Sequence, residues 1–229
     1  MISIITPVLN EEKNIRSFLY HLDSLDGDFE LILVDGGSSD RTIEEVRKWK
    51  DRSNRNITIL ETCRGRGTQM NKGADAAKGD ILLFLHVDCS LRKDALFLIE
   101  KAINEKNAIG GGFKQAFSNP DFFLKFQSAF GNLRAWATGI FFGDFGIFLK
   151  SAIFRKIGGY DEIPFLEDVE LCRKAKRHGR LIQIDRRILT SPRRYLKKGK
   201  LKLTFAFMLA NLFNMFRWRP MFLWKYIAD

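Results

Sequence analysis

The chain has 229 residues, 45% apolar and 28% charged, with a mean hydropathy of −0.16. That is enough for one domain with a full core and too little for two ordinary ones, and it excludes a disordered chain or a polytopic membrane protein. The net charge is +11, yet residues 1–170 hold 22 Lys and Arg against 25 Asp and Glu, while residues 171–229 hold 16 against 2. An evenly basic nucleic-acid coat would not divide this way. A near-neutral globular part carries a basic last quarter that requires a polyanionic partner or surface. Cys63, Cys89 and Cys172 are odd in number and form no C-x-x-C. They read as reduced thiols, which predicts a cytoplasmic protein. The opening MISIITPVLNEE has no basic stretch and no long apolar run, so it reads as a buried strand rather than a signal peptide.

In chain order, Ile2–Val8 is a predicted strand, and Glu11–Leu25 a helix with Ile15, Phe18, Leu19 and Leu22 at spacings of three and four. Glu30–Val34 is a second strand. Asp40 then caps a helix over Arg41–Lys50, with Glu44 completing a capping box. Ile57–Leu60, a helix over Thr68–Lys78, the strand Ile81–Leu85 and a helix over Arg92–Glu105 follow. Strands this apolar, separated by helices, imply a parallel sheet covered on both faces, an α/β doubly wound unit. Beyond it come a strand over Ala108–Phe117, a helix over Asp121–Thr138, a short strand over Gly143–Lys150 and a helix over Glu167–Arg177. Leu181–Ile184 and Ile188–Thr190 read as small strands, Leu201–Phe216 as a helix, and a last segment breaks at Pro220.

In open α/β sheets, ligands bind outside the carboxyl ends of the strands. The four early strands run into Pro7-Val8-Leu9-Asn10-Glu11, Asp35-Gly36-Gly37-Ser38-Ser39-Asp40, Arg64-Gly65-Arg66-Gly67 and His86-Val87-Asp88. Any one of these is readily a capped turn. Together they put carboxylates, glycines and arginines on one rim, which suits an anionic ligand with a divalent cation. There is no G-x-x-x-x-G-K-S/T loop, and Gly110-Gly111-Gly112 lacks dinucleotide-loop spacing. His21, His86 and His178 are far apart, which argues against a zinc enzyme.

With PVLNEE at 7–12, DGGSSD at 35–40, GRGTQMNKGA at 65–74, ILLFLHVD at 81–88 and FLEDVELCRKAKRHG at 165–179, the chain resembles a family 2 glycosyltransferase with the GT-A fold. The combination of GRGTQMN, LHVD, GDFGIF and ED is similar to the bacterial subgroup of radical-SAM/selenodomain-associated glycosyltransferases. The resemblance covers about the first 195 residues, which form the expected domain. Its nucleotide-binding half is 1–107 and its acceptor half 108–195, followed by a basic, apolar helical extension over 196–229. It implies an Rossmann-like, mainly parallel mixed sheet flanked by helices, and inverting transfer from a nucleoside-diphosphate sugar.

By resemblance, Pro7, Val8, Asn10, Glu11, Asp35, Gly37 and Ser38 would bind the nucleoside, with Arg64 and Arg66 near the diphosphate. Asp88 would be the ligand of a divalent cation, Mn²⁺ or Mg²⁺, although His86 replaces the first acid of the family's D-x-D pattern. Asp168 would be the general base, with Glu167 beside it or on the acceptor. Two acids at a helix N-terminus also simply favour its dipole. Gly143 and Asp144 would lie on the acceptor or sugar side, or form only a tight turn. Arg193 and Arg194 would clamp the diphosphate, or merely begin the basic run.

Phe122, Phe126 and Phe130, continued by Leu133 and Ala137, share a helix face whose favoured reading is packing over the sheet. Phe123, Phe141 and Phe142 leave room for an apolar acceptor or a membrane face. Leu201–Phe216 is apolar nearly all round, shorter than a bilayer span, and bracketed by RRYLKKGKLK at 193–202 and by Arg217-Trp218-Arg219 and Trp224-Lys225. This fits an interfacial helix on anionic lipid at the inner face of the membrane, or a helix buried against the domain or in a homodimer. Nucleic acid ranks well below as a partner, because the basic run adjoins an apolar helix rather than base-stacking aromatics interleaved with Arg. Two rival readings are a sugar-nucleotide pyrophosphorylase and a non-catalytic sugar-nucleotide or lipid-binding scaffold. PVLNEE argues against the former, which would carry a Gly-rich basic loop there.

Overall fold

The structure, a computed structural model, describes residues 1–215; Arg217-Trp218-Arg219, Pro220 and Trp224-Lys225 lie outside the described residues. The early apolar runs are β1 (Ile2–Val8), β2 (Phe29–Asp35), β3 (Asn56–Glu61) and β4 (Ile81–Phe84), all parallel. Short β5 (Cys89–Ser90), β6 (Gly110–Phe117), β7 (Ile147–Lys150) and β8 (Leu181–Thr190) complete one sheet of order β3-β2-β1-β4-β7-β6-β8-β5. β7 runs antiparallel to both β4 and β6, and β5 antiparallel to β8, so the sheet is mixed and continuous through both halves of the chain.

Alternation along the strands feeds two core layers. Ile2, Ile4, Leu31 and Leu33 pack under α1 (Glu12–Asp23), α2 (Thr42–Lys50) and α4 (Ala95–Glu105). Ile5, Ile32 and Val34 face the opposite layer. Met70 and Ala74 of α3 (Arg66–Ala76), Phe154 of α6 (Ser151–Lys156) and Leu171 and Ala175 of α7 (Glu167–Lys176) pack there. Gly73 of α3 lies where a Cβ would come within 2.5 Å of the Ile5 side chain, so a glycine is what lets this helix sit on β1.

Several expected elements change. The anticipated small strands are a single β8, whose register against β6 shifts between Phe113 and Lys114. Gly143–Phe145 is a 3₁₀ turn, and β7 starts only at Ile147. Glu44 makes no capping box, because its carboxylate pairs with Lys48 one turn on. Asp40 instead joins two helix starts, accepting from the Thr42 N–H at 3.0 Å and the Glu12 N–H at 3.0 Å.

The largest correction concerns α5 (Phe122–Thr138). Phe122, Phe126, Phe130 and Leu133 do not pack over the sheet; they are 86%, 62%, 57% and 61% exposed. The face of α5 set on the domain is built from Leu124, Ser128 and Ala135, and it is partly polar. The Ser128 hydroxyl donates to Gln115 at 2.8 Å, and Asn132 bonds the Gln115 backbone at both its N–H and its carbonyl. Helical periodicity identified an apolar face without revealing what lies against it.

After α8 (Arg193–Lys198), α9 (Lys200–Met215) lays Leu203, Ala206 and Ala210 inward. The last two pack with Phe165, Leu166 and Val169 at the start of α7. Its inner face thus belongs to its own domain. Among the described residues, no helix is long and apolar enough to cross a membrane.

The ends of β1 and β2 are pinned from behind by Gln69, whose buried amide donates to the carbonyls of Val8 (2.9 Å) and Val34 (2.8 Å). Replacing Gln69 by Ala leaves two buried carbonyls without donors. Urea unfolding of Gln69→Ala is expected to show a loss of roughly 2–4 kcal/mol; a loss below about 0.5 kcal/mol would mean that the amide does not brace these strands.

Candidate active site at the strand ends

Pro7 and Val8 close β1 opposite Val34 and Asp35 of β2. Asp35 is nearly buried, and its two carboxyl oxygens accept the Ser38 N–H at 3.1 and 3.0 Å. The Ser38 hydroxyl donates to Asp35 at 2.6 Å and accepts the Asn10 N–H at 2.9 Å. Asn10 itself holds φ 52° and accepts the Ser39 N–H at 2.9 Å. Gly37 supplies the left-handed step between them, at φ 92°. The two loops expected to meet a nucleoside are therefore one hydrogen-bonded rim.

Arg193 connects this rim to the next strand end. Its guanidinium forks onto Glu11 at 2.7 and 2.5 Å, and its Nε lies 3.3 Å from Asp88. Asp88 follows β4, and its backbone carbonyl accepts the Ser191 N–H at 3.0 Å. In this structure the forked arginine holds two acids across the cleft mouth. Arg64 is exposed on the loop before α3, while Arg66 opens α3 and its charge reaches Glu167 and Asp168.

Glu167 and Asp168 open α7, after Leu166 in a left-handed conformation (φ 60°) that a branched side chain rarely adopts. Asp168 Oδ2 accepts the Gly143 N–H at 2.7 Å, and Oδ1 accepts the Val169 N–H at 2.7 Å. Gly143 is also the seat of His86: a Cβ there would lie 2.3 Å from the imidazole Nε2. The histidine in the place of a first acid thus packs on the peptide that holds Asp168.

Four carboxyl groups share this pocket. Burial pushes Asp144 up to about 7, helped by the charges of Asp168 and Asp88 and opposed by Arg134 and Arg194. Its buried Oδ1 has no hydrogen-bond partner. Burial raises Glu167 and Asp168 as well; the Asp168 charge adds to the rise at Glu167, whereas the Gly143 and Val169 N–H groups restrain Asp168. Asp144 and Asp168 are neighbours, each within reach of the other's charge.

Arg134 was not foreseen. It extends from α5 over the Phe142 ring, 4.0 Å from its centroid, and its buried Nη2 lacks a hydrogen-bond partner. Burial lowers its pKa, against the pull of Asp168 and Asp144. The available signal was a lone charge in the last two turns of an apolar helix. Arg194 stands nearby, 5.8 Å from the Phe207 ring centroid, with its charge reaching Asp144 and Glu167.

Among the described residues, no group of three or more His, Cys, Asp or Glu side chains is arranged to hold a metal ion. Asp88 and Asp144 nevertheless suit a hard divalent cation that takes its remaining oxygens from phosphate and water. Both are carboxylates, they repel each other, and Asp144 carries an unsatisfied oxygen.

A doubly wound sheet whose strand ends gather a polar rim, crowded carboxyl groups and arginines presents them at the edge where open α/β folds bind their ligands. Residues 3–157 match the family description "Glycosyl transferase family 2", and the chain belongs to that family. It is 34% identical over 98 residues to the poly(ribitol-phosphate) β-N-acetylglucosaminyltransferase TarS of Staphylococcus aureus, covering 41% of this chain and 17% of TarS. It is 39% identical over 111 residues to a PGL/p-HBAD biosynthesis glycosyltransferase of Mycobacterium bovis, covering 46% and 42%. The chain thus spans less than half the length of these curated relatives. The fold is GT-A-like. It superposes on a mannosyltransferase of Pyrobaculum calidifontis in complex with GDP-Man and Mn²⁺ at a TM-score of 0.68, with 23% identity, covering 82% of this chain and 56% of that one. S. aureus TarS in complex with UDP-GlcNAc superposes at 0.67, also with 23% identity, covering 83% and 58%.

Because Asp144 titrates higher when folded, the folded chain keeps a proton that the unfolded chain releases, between about 4 and about 7. Stability is therefore lost as pH rises through this window. Asp144→Asn should remove its share of that loss, about 2–4 kcal/mol between the two ends. Urea unfolding across the pH range, in chelator, measures it; an unchanged pH profile would show that Asp144 is not strained.

Proposed function

We propose that the chain transfers a sugar from a nucleoside-diphosphate sugar to an acceptor hydroxyl, with inversion at the anomeric carbon. The observation that carries this reading is Asp168, a partly buried carboxyl whose pKa is raised but whose ionised form is held by two backbone N–H groups. A base of that kind is ionised yet more basic than an ordinary carboxylate. The acceptor oxygen attacks the anomeric carbon as the bond to the diphosphate oxygen breaks. That oxygen keeps the electron pair, and Asp168 takes the hydroxyl proton.

The other roles follow from position. The Asp35–Ser38–Asn10 rim, with Pro7, Val8, Glu11 and Gly37, receives the nucleoside. Arg64, Arg66, Arg193 and Arg194 supply positive charge for the diphosphate, and the Arg66 end of α3 adds a helix N-terminus. Asp88, with Asp144, is the place for a Mn²⁺ or Mg²⁺ ion, which would neutralise charge on the departing diphosphate. Gly143 and Glu167 border the acceptor. The complexes of the P. calidifontis mannosyltransferase with GDP-Man and Mn²⁺ and of TarS with UDP-GlcNAc support this donor class and this cation. The partly buried rings of Phe142 and Phe207, with Arg134 and Arg194 against them, support a lipid-linked or membrane-proximal acceptor.

Asp168→Asn is expected to lower turnover by roughly 10²–10⁴-fold, while donor binding measured by calorimetry changes only a few-fold. A loss of donor affinity as large as the loss of turnover would make Asp168 a binding residue instead. Turnover of the wild type should fall on acidification through a limb above the ordinary Asp value of about 3.9, since the raised base is protonated there. A limb at or below that value would remove Asp168 from the role.

A further inference from the structure

Large apolar side chains on the surface of a soluble protein are normally scattered. Here they are gathered. Of the thirteen exposed ones among the described residues, five lie on α5: Phe122, Phe126, Phe130, Leu133 and Trp136. Three more, Leu201, Phe205 and Met208, lie on α9, each at least 61% exposed.

The two helices are neighbours running in the same direction. Lys200 pairs with Asp121 at their starts, and the Gln127 amide donates to Thr204 at 3.1 Å further along. Each turns its other face to the domain, α5 through Leu124, Ser128 and Ala135 and α9 through Leu203, Ala206 and Ala210. Their outward faces therefore lie side by side, roughly 25 Å long. Among the described residues, the one acid on these two helices and their caps, Asp121, is paired with Lys200.

Charge identifies the occupant. Residues 186–215 contain eight Lys and Arg and no Asp or Glu. Lys197 and Lys202 are exposed next to exposed Leu196 and Leu201. A second copy docked by this face would set one cationic segment against another. An anionic bilayer surface meets both demands, taking apolar side chains below the headgroups and cations at their level.

We propose that the paired outward faces of α5 and α9, with the exposed basic residues of α8 and the start of α9, form a docking surface for anionic lipid, on which both helices lie flat. The surface is the reverse side of the helices that wall the acid pocket. Arg134 reaches that pocket from α5, and the inner face of α9 packs against Phe165, Leu166 and Val169. A docked molecule would hold its acceptor side close to the membrane. This purpose rests on the membrane-proximal acceptor proposed above; the docking itself does not.

The test is flotation of the full chain with vesicles of phosphatidylcholine alone and of phosphatidylcholine with phosphatidylglycerol, without donor or acceptor. Binding to the anionic vesicles that weakens with salt is expected. The double substitution Phe126→Gln and Phe130→Gln should reduce that binding at least tenfold at an unchanged melting temperature, and Lys197→Glu with Lys202→Glu should do likewise. Both pairs are exposed, so folding is not at stake. Wild-type binding by either double variant would overturn the proposal, as would equal binding to neutral vesicles. So would a solution dimer that Phe126→Gln with Phe130→Gln turns into a monomer, which would give the face to a second copy. Since no turnover is read, a failure here leaves the transfer reading standing, and loss of transfer in Asp168→Asn says nothing about docking.

Discussion

Carboxyl groups brought out of water and close together resist ionisation, and this chain places Asp88 and Asp168 within electrostatic reach of Asp144, and Asp168 beside Glu167. What surrounds them is explained by the need to keep some of them charged. Two peptide N–H groups favour the ionised form of Asp168. Arg193 is shared between Glu11 and Asp88, and Arg66, Arg134 and Arg194 approach from three different helices. Burial holds Asp144 up to about 7 despite Arg134 and Arg194, and it raises Glu167 as well. Under the proposed function, a ligand that brings both cation and phosphate would act on both signs of charge at once.

The backbone serves the same balance. Leu166 takes a left-handed conformation that aims Glu167 and Asp168 inward, and it is kept there by packing under Ala206 and Ala210. Such strain persists only where neighbours over-determine it. The helix that looked, by composition, like an appendage is thus part of what holds the acids in place.

Much of this was legible. The strands announced themselves as apolar runs, because a strand buried on both faces leaves no room for polar residues. The position of the rim residues followed from the rule that ligands sit at carboxyl ends of strands, while their roles rest on the resemblance and remain as proposed. What was hidden depended on contacts between distant parts. Nothing local in Ile147–Lys150 says that it runs antiparallel between β4 and β6. Nothing in Phe122–Phe130 says that its stripe stays uncovered, for an apolar face is the same in sequence whether sheet or solvent lies against it. Arg134 escaped because helical spacing put it on a flank, where only the fold shows that the acid pocket begins.

The Arg193–Glu11 pair joins residues 182 positions apart. Closing so long a loop costs entropy that only an already formed sheet can offset. The rim is built from contacts within the first forty residues, whereas the arginine fork on Glu11 and Asp88 comes from the last quarter of the chain. The segment matched by the family description, residues 3–157, stops before Glu167, Asp168 and Arg193 alike. A chain interrupted after its recognisable part would carry the rim without the groups that complete the site.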